Sequence, residues 1–113
     1  MPNKVSLKNN YPVTEKSEAL YTRAKEVMHP VTQTMAKGPG QYSTGMMPKY
    51  IVKGKGSHVW DVDGNEFIDY QMAIGPISLG YAFDETDQAI KKQLEDGITF
   101  SMMHPLEVEV AEL

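Results

Sequence analysis

Cysteine is absent from this sequence, as are long apolar runs and an excess of basic residues. Without cysteine the chain can form neither disulfide bonds nor thiolate metal sites. No apolar run approaches the length of a membrane-spanning helix, and the polar start MPNKVSLKNNYP lacks the apolar centre of a secretory signal. The formal net charge of −4 offers no basic surface for nucleic acid. These absences predict a cytoplasmic protein that binds neither membranes nor nucleic acid.

The composition that remains is ordinary for a globular protein. Hydrophobic residues make up 41% and charged residues 23% of the chain. A length of 113 residues gives room for one small core and not for two. Composition therefore predicts a soluble globular segment and says nothing about chemistry.

A pattern that would indicate calcium begins at Asp61, where the chain reads DVDGN. A calcium loop needs glycine at its sixth position and glutamate at its twelfth. Those positions hold Glu66 and Met72. Because Asp-Gly is also a strong hairpin signal, the segment is interpreted as a turn and not as a metal site.

A second incomplete pattern is the glycine spacing of a phosphate loop. Gly40 and Gly45 have the required separation, but Met46 and Met47 stand where lysine and serine or threonine are needed. The three histidines have no partner at ligand spacing. Taken alone, the residues therefore predict no metal site and no catalytic group.

Helical periodicity marks the first regular element. Apolar residues recur on one face from about Thr14 to His29, and Pro30 ends the pattern; the face comprises Leu20, Ala24, Val27 and Met28. Residues 1–13 are polar and are interpreted as a loose N-terminal arm. Residues 37–49 hold three glycines and two prolines, which predict a loop.

A β region follows the loop. Three short runs at 50–53, 57–62 and 66–70 are rich in β-branched and aromatic residues and are separated by glycine turns. A two-residue turn at Asp63-Gly64 would place Asp61 opposite Glu66, a like-charge pair that sheets disfavour. We therefore expect a small antiparallel meander whose second connection has three to five residues, with Trp60 packed against apolar groups.

The last third of the sequence predicts two further helices. Residues 72–82 are glycine-rich and irregular. A helix is expected over 85–96, with Asp84 as its N-cap and Gly97 as its C-cap. Another helix begins at Pro105 and has no stop signal before Leu113. That unfinished pattern predicts that the sequence continues in a longer protein.

Residues 50–80 carry a family resemblance, since they read YIVKGKGSHVWDVDGNEFIDYQMAIGPISLG. The string is similar to that of class III aminotransferases: an apolar strand, a KGKG-type turn, a DVDGNEFIDY hairpin, and then GP and LG. Upstream SEAL and Pro39-Gly40, and downstream GITFS and EVEVAEL, resemble the branch that contains glutamate-1-semialdehyde 2,1-aminomutase. The similarity spans about residues 17–113.

The resemblance implies an α/β fold, namely the N-terminal part of a fold-type I, pyridoxal 5'-phosphate (PLP)-dependent transferase. An N-terminal helix, an antiparallel β-meander and helices leading into a large domain are expected. The implied divisions are an arm at 1–13, part of the small domain at 14–82, and lead-in helices at 83–113. In such enzymes a lysine binds PLP as a Schiff base and an aspartate pairs with its pyridinium nitrogen. No residue here matches either motif.

The resemblance also implies a function and a set of partners for the full-length protein. It would be a homodimer that moves an amino group from a small amino donor to a keto or aldehyde acceptor, and the present segment alone would be inactive. A stand-alone interaction or structural module that catalyses nothing is the alternative.

Departures from the family pattern mark candidate substrate-pocket residues. The resemblance places Met47 where the aminomutase branch has an arginine that binds the substrate carboxylate, and Ile74 where a tryptophan precedes the GP pair. These departures predict a substrate other than glutamate-1-semialdehyde. Lys49 is an alternative cation if the loop follows a different path. The candidate pocket residues are Ser43, Thr44, Met47, Ile74, Gly75 and Pro76.

Overall fold

The computed structural model describes residues 12–42 and 47–113. The chain divides into two compact units, Met1–Tyr81 and Ala82–Leu113. Within the described residues no helix is long and apolar enough to cross a membrane. The predicted α/β order of one helix, an antiparallel meander and two further helices is confirmed.

The first helix, α1, spans Glu15–Val27. Its acidic first turn and its basic last turn, which contains Lys25, suit the helix dipole. The predicted apolar face is correct only in part. Ala24 is buried, but Val27 is 79% exposed and Met28 lies beyond the end of the helix. Ser17, which has no apolar side chain, is fully buried on this helix.

The meander has the strand order β1-β2-β3, with both pairs antiparallel. Strand β1 spans Ile51–Lys55, β2 spans His58–Asp61 and β3 spans Glu66–Ile68. Val59 pairs with Phe67 and is buried, with 5% of its surface exposed. Trp60 is half-buried, and Lys53 Nζ lies 4.6 Å from its ring centroid. The expected apolar packing around Trp60 stays a prediction.

Residues 62–64 form a three-residue loop between Asp61 and its hydrogen-bonded partner Asn65, within the three to five residues that the charge argument predicted. Trp60 pairs with Glu66, and the N–H of Asp61 donates to the carbonyl of Asn65 at 3.1 Å. Gly64 has φ = +90°, a conformation that side chains with a Cβ rarely adopt. The loop thus keeps Asp61 away from Glu66.

The same loop binds the start of α1. Asp63 Oδ1 accepts the N–H of Lys16 at 2.7 Å, and Oδ2 accepts the N–H of Ser17 at 2.9 Å. Asp63 is thus a helix cap supplied from a distant part of the chain, since a helix N-terminus leaves its first N–H groups without partners. Partial burial alone would raise the pKa of Asp63, but these two N–H donors lower it below its usual value.

Asn65 completes this junction from the other side of the loop. Its side-chain amide donates to the carbonyl of Val13 at 2.6 Å and to Asp61 Oδ2 at 2.8 Å. Asp61 Oδ1 also accepts the backbone N–H of Asn65 at 2.8 Å. Asp61 and Asn65 are each 1% exposed. A buried polar pair of this kind is stable because each buried group is hydrogen-bonded.

The unit Ala82–Leu113 holds helix α2, Asp84–Asp96, and helix α3, Pro105–Ala111. Gly97 ends α2 with φ = +97°, as predicted. The predicted N-cap is wrong, because Asp84 is the first helical residue and the extended residue before it is Phe83. A carboxylate in the first turn still interacts favourably with the helix dipole.

Helix α3 starts with a local cap that the sequence did not suggest. His104 Nδ1 accepts the N–H of Leu106 at 3.2 Å, and Glu107 accepts the N–H of His104 at 2.8 Å. The prediction that the helix continues to Leu113 is wrong, since it ends at Ala111. Helix ends fray where the last carbonyls lack helical partners.

Replacing Asp63 with alanine removes the acceptor for two N–H groups of α1. Loss of an N-cap costs about 0.5–2 kcal/mol, so α1 should open more often. We expect the amides of Lys16 and Ser17 to exchange with deuterium roughly 2- to 30-fold faster in the full-length Asp63→Ala variant, the range that follows from that cost. Glu26→Ala removes an exposed carboxylate from the same helix and should leave these amides unchanged. Equal exchange in Asp63→Ala and wild type would contradict the cap.

Candidate functional site

The predicted pocket residues fall in two stretches of the chain. Ile74, Gly75 and Pro76 share one turn, while Ser43 and Thr44 lie outside the described residues. Met47 is 45% exposed and Ile74 is 74% exposed. Their assignment to a substrate pocket therefore remains a prediction.

The turn that carries Ile74 has an unusual backbone. Met72, Ala73 and Ile74 have φ values of +47°, +51° and +66°, and Gly75 follows at +106°. Left-handed conformation costs roughly 1–2 kcal/mol for each residue with a Cβ. Strain of this kind persists only where surrounding contacts fix it, and it clusters at functional sites. We call residues 72–75 the left-handed turn.

Asp69 fixes the start of the left-handed turn. Its Oδ1 accepts the N–H groups of Gln71 at 2.9 Å and Met72 at 3.2 Å. Its Oδ2 accepts the hydroxyl of Tyr81 at 2.6 Å. Burial alone would raise the pKa of Asp69, but the Tyr81 hydroxyl and the two N–H donors lower it below its usual value. The carboxylate thus joins the two ends of the segment 69–81.

Tyr81 is held in turn by the glycines of the KGKG turn. Gly56 and Tyr81 exchange two backbone hydrogen bonds, of 2.9 Å and 2.8 Å. The Tyr81 ring packs on Gly54, where an added Cβ would lie 2.4 Å from the ring. No side chain fits at Gly54 unless Tyr81 moves. The hydrogen bond from Tyr81 to Asp69, together with burial, raises the pKa of Tyr81 to about 12.

One further hydrogen bond connects the left-handed turn with the stretch before Ser43. The hydroxyl of Tyr42 donates to Gln71 Oε1 at 2.7 Å. Sequence patterns did not single out Asp69, Gln71, Tyr42 or Tyr81. Asp69 and Gln71 lie inside the family-like string at residues 50–80, and Tyr81 directly follows it; these positions were the only available signal.

Lys49, the alternative cation named from the sequence, has structural partners. Lys49 forms an ion pair with Glu18, lies 5.5 Å from the Tyr21 ring centroid, and has a side chain only 7% exposed. Lys49 therefore has partners within the described residues, and its role as an alternative cation stays a prediction. A PLP site needs a Schiff-base lysine, a phosphate cradle and a pyridinium partner together. The described part of the chain does not combine them, so it does not fit PLP by itself.

Metal binding has no support in the described ranges. Across residues 12–42 and 47–113, no group of three or more histidine, aspartate or glutamate side chains could hold a metal ion. The carboxylates of Asp63 and Asp69 accept backbone and hydroxyl hydrogens instead. Their chemistry in this chain is the fixing of backbone geometry.

Known proteins resemble this chain in both sequence and fold. The family model Aminotransferase class-III matches residues 40–112. A glutamate-1-semialdehyde 2,1-aminomutase from Persephonella marina is 51% identical over 70 residues, which cover 62% of this chain and 16% of that protein. Glutamate-1-semialdehyde 2,1-aminomutase 2 from Halalkalibacterium halodurans is 37% identical over 99 residues, covering 88% and 23%.

Solved structures extend the likeness to three dimensions. One described as a transaminase with PLP bound superposes with a TM-score of 0.74 at 40% identity, covering 89% of this chain and 23% of that one. An omega-transaminase from Sphaerobacter thermophilus gives 0.71 at 28% identity, covering 85% and 21%. The fold matches the N-terminal part of a transaminase fold. The chain spans about a sixth to a quarter of the length of these relatives.

Because Tyr81 has a raised pKa, its contact with Asp69 is fully present below the ordinary tyrosine pKa near 10 and is lost as pH rises through about 12. At about pH 11 an ordinary tyrosine is roughly nine-tenths ionised, whereas we expect Tyr81 to stay mostly protonated. The measurement is phenolate absorbance of the full-length protein, wild type minus Tyr81→Phe. Tyr70→Phe removes an exposed phenol and serves as control. Full ionisation of Tyr81 by pH 11 would show that Asp69 does not hold its proton.

Proposed function

The chain belongs to the class-III aminotransferase family, and on that premise we propose that the full-length protein transfers an amino group between a small amino donor and a keto or aldehyde acceptor. The observation that carries this proposal is the family match over residues 40–112. The 51% identity with a glutamate-1-semialdehyde 2,1-aminomutase supports the aminomutase-like branch. A stand-alone module that catalyses nothing is disfavoured by the same match.

PLP is the cofactor that we propose for the full-length protein. A solved relative is described as a transaminase with PLP bound. PLP supplies the electron sink that amino transfer needs. The described residues lack its combined binding groups, so the lysine and the phosphate cradle belong to other parts of the full-length protein. The proposal includes a cytoplasmic homodimer, as the resemblance implies.

In this proposal the residues of this chain position parts of the substrate pocket and take no part in the amino-transfer chemistry. Asp69 holds the left-handed turn, which presents Ile74 with 74% of its surface exposed. Met47 is also exposed within this chain. Neither side chain carries a charge or a strong hydrogen-bond donor, so neither binds a carboxylate as arginine does. We propose an acceptor whose recognition at these two positions is apolar.

Residues 1–113 by themselves should bind no PLP covalently at a defined site. Affinity for PLP comes from the lysine, the phosphate cradle and the pyridinium partner together. The test mixes this segment and, separately, the full-length protein with PLP, reduces both with borohydride and maps the modified lysines. We expect one stoichiometric pyridoxyl-lysine in the full-length protein, outside residues 1–113, and scattered substoichiometric labelling of the segment. A single stoichiometric site within 1–113 would sink the idea.

Met47→Arg in the full-length protein should favour substrates that carry a carboxylate. Hydrogen bonds to charged groups contribute enough to change kcat/KM by roughly 10- to 100-fold. The measurement compares glutamate-1-semialdehyde with uncharged ketones and keto-sugars in wild type and variant. Met35→Arg adds the same charge at an exposed position outside the candidate pocket and should leave the preference unchanged. If wild type already uses the semialdehyde best and Met47→Arg has no effect, the assignment of Met47 is wrong.

A further inference from the structure

The hydroxyl of Tyr42 joins two stretches that are 29 residues apart in the sequence. It lies 2.7 Å from Gln71 Oε1 and 3.2 Å from the carbonyl of Ala36. A phenol has one proton, so it donates to one of these acceptors at a time, and the shorter contact is the one with Gln71. Tyr42 itself is half-buried and follows a 3₁₀ turn at Pro39–Gln41.

Gln71 is the residue from which the left-handed turn starts. Its N–H donates to Asp69, and its carbonyl accepts the N–H of Ile74 at 2.8 Å. The next hydrogen bond of the turn runs from the N–H of Gly75 to the carbonyl of Met72, at 2.9 Å. A displacement of Gln71 is therefore transmitted directly to Ile74 through the backbone.

Packing within the described chain does not fix the left-handed turn. Met72 and Ile74 are 42% and 74% exposed, and the turn residues are all exposed. Three successive residues with positive φ carry strain that would be released if the turn relaxed. The described contacts that oppose relaxation are the backbone bonds within the turn, the Asp69 carboxylate and the Tyr42 hydroxyl. Of these, only the Tyr42 hydroxyl comes from outside the segment 69–81.

We propose that Tyr42 and Gln71 form a specificity-determining pair of positioning residues. Their hydrogen bond holds the left-handed turn in one place, and thereby sets how much room Ile74 leaves for the carbon chain of the keto or aldehyde acceptor. This inference rests on the proposed amino-transfer function. It predicts that loss of the hydrogen bond relaxes discrimination between small and bulky acceptors and leaves the chemistry itself intact.

The experiment uses the full-length, PLP-loaded protein and the variants Tyr42→Phe, Gln71→Leu and their combination. The readout is the ratio of kcat/KM for the best small and the best bulky carbonyl acceptor of wild type. Both acceptors are used by the same folded enzyme, so partial unfolding does not alter the ratio. We expect each single variant to change the ratio by about 3- to 10-fold, in line with a net hydrogen bond. The double variant should match the single ones, because all remove the same bond.

A second measurement is independent of activity. Deuterium exchange at the amides of Ile74 and Gly75 should accelerate in Tyr42→Phe, since the turn then opens more often. Tyr70→Phe removes a phenol that is 86% exposed and should change neither exchange nor selectivity.

The outcomes separate the inference from the function on which it rests. An active wild type with an unchanged selectivity ratio in Tyr42→Phe overturns the positioning role. Additive effects of the two substitutions on that ratio overturn the pairing. A wild type that transfers no amino group to any carbonyl acceptor overturns the proposed function, and with it the specificity role.

Discussion

The carboxylate of Asp63 accepts the first N–H groups of a helix that lies 46 and 47 residues earlier in the chain. Two neighbouring hydrogen-bonded residues support this cap. Asn65 holds the carbonyl of Val13 just before the helix, and Asp61 holds Asn65. Ser17, Asp61 and Asn65 are the largest fully buried side chains among the described residues, so the most deeply buried side chains there are polar. The apolar contribution is small there, with Ala24 and Val59 as the buried hydrophobic residues. Hydrogen bonds from Asp63 and Asn65 therefore connect the start of α1 to the meander.

The second constraint applies the same principle to the segment 69–81. Asp69 gathers two N–H groups and one hydroxyl, and Tyr81 reaches it only because Gly54 has no side chain in the way. The string that carries the family resemblance thus encodes a scaffold: its aspartates and glycines fix a helix end, a hairpin and a strained turn. Of the positions proposed to choose the substrate, Ile74 lies in the strained turn, and its side chain is 74% exposed.

Local patterns in the sequence predicted most of the regular structure. The helix at Glu15–Val27, the antiparallel meander, the three-residue loop and the end of α2 at Gly97 all follow from periodicity, charge repulsion and glycine chemistry. The family resemblance added the α/β transferase fold, which the likeness to solved transaminases confirms. The predictions that were wrong concern a helix cap and the burial of one side chain, which depend on how the rest of the chain packs around them. Asp84 was predicted to cap α2 but is its first helical residue. Val27 was predicted to lie on the buried face of α1 but is exposed.

Sequence by itself determined where helices, strands and turns form, because their signals lie within a few residues of one another. Only the tertiary structure decided what the polar residues of the hairpin string bind. The sequence predicted a turn at DVDGN, and in the fold Asp63 of that turn also caps α1. Local sequence patterns did not reveal the roles of Asp69, Tyr81, Tyr42 and Gln71, because each acts through a hydrogen bond to a distant residue or to the backbone. A hydrogen bond depends on separations of about 3 Å and on direction, and such distances exist only after the chain has folded.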